Sequence, residues 1–346
     1  MPRGACLSPD ESRLLRAARR LPVDRTPVWF MRQAGRFLPE YRDLRKRYSM
    51  LELCTNADLA AQVTMLPIRL LPGLDAAIVF SDLLLPLQPM GLEIRFAASE
   101  GPQVLNPIAH ESDVERLRPL EPEQDLRPVL DAIRILRREL QVPLIGFAGA
   151  PFTLASYAIE GGSSRHYLKT KGLMTSHSPV WSRLMTKLAE AALRHLRAQI
   201  EAGAQMVQLF DSWVGALGPR DYEEFVLPYS RIVFEGLRDT GAPTIHFGTG
   251  TASLLELMKR AGGDVIGLDW RVNLAEAWLR LGEVAVMGNL DPAMLLAPRE
   301  ALVSRVDSIL DSAGRRAGHI FNLGHGVLPE TPVENLLAVL ERVHSR

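Results

Sequence analysis

Short apolar runs alternate with longer amphipathic stretches from residue 27 to the end of the chain. The runs are PVWFM (27–31), DAAIVF (75–80), PLIGFA (143–148), MVQLF (206–210), PTIHF (243–247), DVIGL (264–268), VAVMG (284–288) and HIFNL (319–323). They are rich in Val, Ile and Phe, and several are apolar on both faces, as a parallel strand covered on both sides would be. The stretches 58–71, 125–140, 178–202, 219–238, 251–261, 273–281, 298–312 and 332–344 have the amphipathic pattern of helices. In 178–202 the signals are clearest: Ser178 offers a cap, Pro179 suits the first turn and Gly203 stops the helix. Near the start, SPDESRLLRAARR predicts a further helix. Ser8 is its N-cap, Pro9 stands in the first turn, Glu11 completes a capping-box spacing, and Leu14, Leu15 and Ala18 share a face.

Eight strands alternating with helices predict one (β/α)8 TIM-type barrel, a single domain over 1–346 with residues 1–20 as a helical extension. A doubly wound open sheet is the competing architecture. The even strand count, and the absence of a Gly-rich dinucleotide fingerprint after the first strand, favour the barrel. Two inserts interrupt the alternation. GLEIRFAASEGPQVL (91–105) reads as a hairpin with a Gly-Pro turn, and GGSSRHYLKTKG (161–172) as a flexible basic loop near the active site.

Charge and composition narrow the function. Lys plus Arg is 40 and Asp plus Glu is 40, so no global field draws in nucleic acid or a membrane surface. Two cysteines, Cys6 and Cys54, support neither a disulfide framework nor a multi-thiolate zinc site. With no segment resembling a signal peptide or a membrane span, the expected location is the cytoplasm.

In a barrel of this kind the site forms where the strands end at their C-termini. Strand one ends at Arg32 and Arg36, strand two at Ser81-Asp82, and strand three leads to Tyr157. Asp211-Ser212 ends strand four, and strand five contains His246. Asp269-Trp270-Arg271, Asn289 with Asp291, and His325 end the last three. Helix capping accounts equally well for Asp291-Pro292, and loop bracing for Asn289 and Asp269. Asp82 is a lone acid in the apolar stretch IVFSDLLLPLQ, so it needs cations or N–H donors; a salt bridge to Arg32 or Arg36 is the structural alternative. Two arginines four apart, with Gly35 permitting a tight turn, indicate a pocket for a small polycarboxylate or phosphate ligand. No H-x-H, H-E-x-x-H or C-x-x-C spacing suggests a metal. Ser212 lacks a nucleophile elbow.

PVWFMRQAGRFLPEYR (27–42) resembles the N-terminal signature of the uroporphyrinogen decarboxylase family. FSDLLLP, GFAGAPFTLASYAIEGGSS, GAQMVQLFDSWVG, GLDWR, GNLDP and FNLGHGVLPETP resemble further segments of that family, in the same order. The resemblance implies a distorted α/β barrel, a homodimer, and no metal or organic cofactor. It implies decarboxylation of the four acetate side chains of uroporphyrinogen III to methyl groups, giving coproporphyrinogen III in haem biosynthesis. By the same resemblance RQAGR (Arg32, Gln33, Ala34, Gly35 and Arg36) is a substrate-binding segment. Asp82 faces the pyrrole N–H groups as the catalytic acid residue, with Arg32 the preferred arginine for proton relay. Tyr157, Ser212 and His325 complete the substrate contacts. Phe37 stands where the family often has tyrosine, and Arg271 where smaller polar residues are common. Two other functions are weighed against this one. A corrinoid-dependent methyltransferase of the same superfamily would need zinc-binding His and Cys residues that are not in place, and a non-catalytic tetrapyrrole carrier would not need Asp82 and both arginines intact.

Overall fold

A computed structural model describes residues 12–97 and 101–346. Among the described residues nine strands are formed: β1 (Ala77–Ile78), β2 (Ile94–Ala97), β3 (Gly101–Val104), β4 (Leu144–Gly149), β5 (Met206–Asp211), β6 (Thr244–Gly248), β7 (Val265–Gly267), β8 (Ala285–Met287) and β9 (His319–Ile320). Seven of them make one curled parallel sheet in the order β1-β4-β5-β6-β7-β8-β9, with helices around it. This is the barrel architecture that the alternation predicts. Every apolar run except the first contributes a ladder strand.

The first run closes the seam between β9 and β1 in a different way. Val28 makes an isolated parallel bridge to Phe321, and the Asp75 N–H donates to the Val28 carbonyl at 2.8 Å. Beyond that point side chains replace the ladder. The N–H groups of Val28, Phe30 and Met31 donate to Asp75 Oδ2 (2.9 Å), Gln33 Oε1 (3.0 Å) and Asn322 Oδ1 (3.0 Å). Buried N–H groups must be paired, and here carboxylate and amide oxygens take that place. The distortion of the barrel is concentrated at this seam.

The barrel interior packs Trp29, Met31, Ile78, Ile145, Met206, Ile245, Phe247 and Met287. Leu14 and Leu15 of the helix Arg13–Ala18 belong to the same cluster, so that helix plugs one end of the barrel with its apolar face. The expected cap of this helix, from Ser8 to Glu11, lies outside the described residues. A larger cluster fills the space between sheet and helices.

The long helix runs Ser178–Ala202, with Ser178 its first residue and His177 at the cap position, one residue earlier than the sequence suggests; Gly203 ends it at φ +122°. The stretch 219–238 is two helices, Pro219–Phe225 and Leu227–Glu235. Pro228 lacks an N–H and disfavours a helical residue before it, which breaks the run.

Both inserts differ in detail from expectation. β2 and β3 pair antiparallel from Ile94↔Val104 to Ala97↔Gly101, so Gly101-Pro102 opens the second strand instead of forming the turn. The expected basic loop contains the start of a helix, Leu168–Ser176. Thr170 donates twice to Glu160 Oε1 at 2.9 Å, and Lys171 Nζ donates to the Ala216 carbonyl at 2.7 Å. These bonds fix a segment whose composition alone suggests flexibility.

Candidate active site

Where the barrel strands end, an open cavity of about 270 Å³ is lined by Arg32, Ala34, Gly35, Arg36, Asp82, Tyr157, Ser212 and His325. Eight of the nine residues expected at the site therefore share one pocket. Gln33 does not. It is fully buried, accepting from Phe30 N–H and donating to the Ala76 carbonyl at 3.0 Å, so its amide is occupied in holding the seam.

The turn after the first run aims both cations. Arg32 has φ +59° and Gly35 φ +133°. A left-handed arginine is an uncommon conformation that the surroundings must enforce, and the Gly35 conformation is one that side chains resist. The Gln33 N–H closes back on Phe30 and the Leu38 N–H on Gly35, both at 3.0 Å. Neither guanidinium has a hydrogen-bond or ion-pair partner among the described residues, and both open on the cavity. Protein enclosure lowers the pKa of Arg32, and the charge of Arg36 lowers it further; Tyr157 and Asp82 act the other way.

Asp82 is not ion-paired to either arginine among the described residues, so the structural alternative for this acid does not hold. Instead its Oδ1 accepts from Leu84 N–H at 2.9 Å, an Asx-type turn that starts the short helix Leu85–Leu87. The strand before it is held by the Thr64 hydroxyl, which accepts from Phe80 N–H at 2.8 Å. Burial raises the Asp82 pKa; the Leu84 N–H and the charges of Arg32 and Arg36 oppose that.

His325 stands between two glycines for steric reasons. A Cβ on Gly324 would come 2.1 Å from Trp270 N, and one on Gly326 would come 2.3 Å from Arg32 Cδ. The Gly326 N–H donates to His325 Nδ1 at 2.6 Å, which leaves the ring hydrogen on Nε2. Burial lowers the ring's pKa to about 4, assisted by Arg32, Arg271 and Arg36 and opposed by Asp269. At neutral pH His325 is a hydrogen-bond donor without charge. Tyr157 is likewise neutral, its pKa pushed up to about 12 by burial and the nearby Asp82, with Arg32 opposing. Its ring stacks on Trp213 at 3.7 Å between centroids.

The remaining strand-end residues have structural work. Asp269 accepts from the N–H groups of Gly250 and Arg271, and Arg271 pairs with it at 3.0 Å while lying 3.8 Å over the Trp270 ring. Arg271 is thus held at the rim by its own neighbours. Asn289 bonds the carbonyls of Asp269 and Val272, and Asp291 caps Ala293. His246 points its Nδ1 at the Met258 and Gly262 carbonyls, 3.2 and 3.3 Å away, and does not line the cavity. Phe37, at the position of a frequent tyrosine, is buried in the core.

Sequence reasoning missed the apolar wall. Phe147, Phe210 and Phe247 stand on β4, β5 and β6 and meet edge to face at 5.6 and 5.9 Å. Counting alternate residues along each strand would have placed them on the barrel's inner side.

The site is therefore a pocket at the end of an α/β barrel whose lining brings together apolar side chains, two arginines and a carboxylate, none of these three ion-paired among the described residues. A family model described as uroporphyrinogen decarboxylase matches residues 9–346. A uroporphyrinogen decarboxylase of Sorangium cellulosum is 56% identical over 336 residues, covering 96% of each chain. Those of Carboxydothermus hydrogenoformans and Thermus thermophilus are 55% and 54% identical, over 95% of this chain and 95% and 96% of theirs. This chain belongs to the uroporphyrinogen decarboxylase family. A solved methyltransferase from Methanosarcina mazei shares the fold, with TM-score 0.80 at 22% identity, covering 96% of this chain and 97% of that one.

Proposed function

We propose that this protein decarboxylates the four acetate side chains of uroporphyrinogen III to methyl groups, producing coproporphyrinogen III for haem and porphyrin synthesis. Family membership supports the reaction. The observation that carries the assignment of roles is the presence, in one cavity, of two arginines without hydrogen-bond or ion-pair partners and a carboxylate without an ion pair among the described residues.

Losing CO₂ from an acetate leaves an electron pair that needs a sink, and the pyrrole ring provides one. Protonating the ring carbon beside the acetate-bearing carbon gives a cationic iminium. Loss of CO₂ then neutralises the cation and leaves an exocyclic alkene. Protonation of that alkene and loss of the added ring proton give the methyl group. Asp82, accepting from the pyrrole N–H groups, stabilises the cation, and a preorganised charge in a poorly solvated site is effective for this. Arg32 and Arg36 hold substrate carboxylates. The lowered pKa of Arg32 is the direction that suits the residue preferred for proton relay. His325, through Nε2–H, and the Tyr157 hydroxyl donate to carboxylates, and Ser212 adds a polar contact. Ala34 and Gly35 contact substrate through backbone and small side chain. Gln33 acts from behind the pocket.

The methyltransferase alternative has less support. Cys54 lies buried in the helix Met50–Thr55, and no group of three or more His, Cys, Asp or Glu among the described residues is arranged around a common point. The family resemblance also favours a homodimer, and the charge balance speaks against nucleic acid as partner. We also propose a cytoplasmic, single-domain enzyme; no described helix is long and apolar enough to cross a membrane. Incubating the purified protein anaerobically with uroporphyrinogen III tests the reading. Hepta- to tetracarboxylate products separated by chromatography are expected; unchanged substrate would overturn it. Sedimentation velocity tests the dimer.

A further inference from the structure

A buried hydroxyl links the strand end at Asp211 to the pocket. Thr153 and Asp211 are both fully buried. The Thr153 hydroxyl donates to Asp211 Oδ1 at 3.0 Å and accepts from the Trp213 backbone N–H at 3.3 Å. Trp213 is the residue whose ring stacks against Tyr157, at 3.7 Å and 29° between planes, and Tyr167 leans on the same indole at 5.3 Å. Tyr157 in turn lines the cavity, whereas neither Thr153 nor Trp213 does. The neighbouring backbone is anchored too: Thr249 Oγ1 donates to the Ser212 carbonyl at 2.5 Å. A carboxyl buried with one oxygen unpartnered is costly, and burial pushes the Asp211 pKa up to about 7. Such a group has few uses in a barrel wall unless it fixes something.

We propose that Asp211 and Thr153 are positioning residues that set the Tyr157 hydroxyl in the substrate pocket by orienting Trp213. The inference rests on the substrate role of Tyr157 given above. The geometry gives it a direction. With its proton donated to Asp211, the Thr153 oxygen must present a lone pair, and among the described residues it accepts from the Trp213 backbone N–H, which pins the turn that carries the indole. The indole then presents its face to Tyr157, whose hydroxyl has no hydrogen bond to protein among the described residues, so the ring relies on this stack and on packing for its orientation.

Thr153→Val removes both hydrogen bonds at nearly constant shape, and Thr153→Ser restores them. Asp211→Asn keeps the Oδ1 acceptor and Asp211→Ala does not. Expected for Thr153→Val and Asp211→Ala is a loss of roughly tenfold or more in kcat/KM, as for a displaced catalytic contact. Loss of the near-ultraviolet circular dichroism band of the Tyr157–Trp213 pair, identified with Trp213→Phe, should accompany it. Thr153→Ser and Asp211→Asn should recover both. Because the effect passes through the hydroxyl, Thr153→Val should cost little further activity on a Tyr157→Phe background. An unchanged band in Thr153→Val, or an equal loss on the Tyr157→Phe background, overturns the proposal. If Tyr157→Phe turns over like the wild type, the substrate role of Tyr157 falls and the relay with it, while wild-type turnover still reports on the decarboxylase reading.

Discussion

Replacing Asp82 by Asn separates catalysis from stability. The amide is isosteric and can still accept from Leu84 N–H, so the turn into Leu85–Leu87 survives. On the proposed mechanism, what disappears is a negative charge that would face the pyrrole as it becomes cationic. Two unit charges about 4 Å apart at an effective dielectric near 20 attract by roughly 4 kcal/mol. Removing a single preorganised group of this kind elsewhere costs about 2.7–4 kcal/mol, so both routes give a loss of ~10²–10³ in kcat. Stability should move the other way. Burial raises the Asp82 pKa in the folded state, so between the ordinary carboxylate value and that raised value the folded protein binds more protons than the unfolded one. The contribution of this group to stability is therefore largest at low pH and is lost as pH rises through the folded pKa. At neutral pH Asp82→Asn should keep or raise Tm while slowing turnover. The assay is anaerobic conversion of uroporphyrinogen under single-turnover conditions, beside a thermal melt of the same preparation. Near-normal turnover in a folded Asp82→Asn protein would refute the electrostatic argument. A fall in both Tm and rate would show that Asp82 acts through the fold.

Three further outcomes follow from the site. Arg36→Ala should raise KM and lower kcat/KM by roughly 10- to 100-fold, the value of one charge-assisted hydrogen bond, in substrate-titration kinetics; unchanged parameters would remove the clamp role. Since His325 is neutral above its lowered pKa of about 4, His325→Asn should reduce kcat/KM by about tenfold or more without removing a limb of the pH profile between pH 5 and 8, and loss of a limb there would make His325 an acid catalyst instead. Gly326→Ala pushes on the Cδ, Cγ and Cβ of Arg32 and should lower kcat/KM, with a smaller fall in Tm than Gly324→Ala. Gly324→Ala meets the Trp270 backbone and should lower Tm, so equal melts for the two variants would contradict the steric account.

Much of this protein is determined locally. Apolar runs covered on both faces gave the seven ladder strands in sequence order, because a parallel strand buried on both sides must be apolar throughout. Polar residues placed at the ends of those runs marked the rim, and Arg32, Asp82, Tyr157, Ser212 and His325 do meet in one cavity. Gly35 was legible because only a residue without a side chain takes φ +133° easily. Tertiary structure alone decided the rest. The run 27–31 has strand composition, yet Asp75, Gln33 and Asn322 satisfy the N–H groups of Val28, Phe30 and Met31, and side chains that arrive from 47 or 291 residues away leave no local pattern. The same long-range packing retired Gln33 from the pocket, tied Arg271 to Asp269 and Trp270, and ordered the basic segment 168–172 against Glu160 and Ala216. It also set the protonation states. A histidine and a tyrosine are named by the sequence, but the fall of the His325 pKa to about 4 and the rise of the Tyr157 pKa to about 12 follow from enclosure and neighbouring charge, which exist only once the barrel has closed.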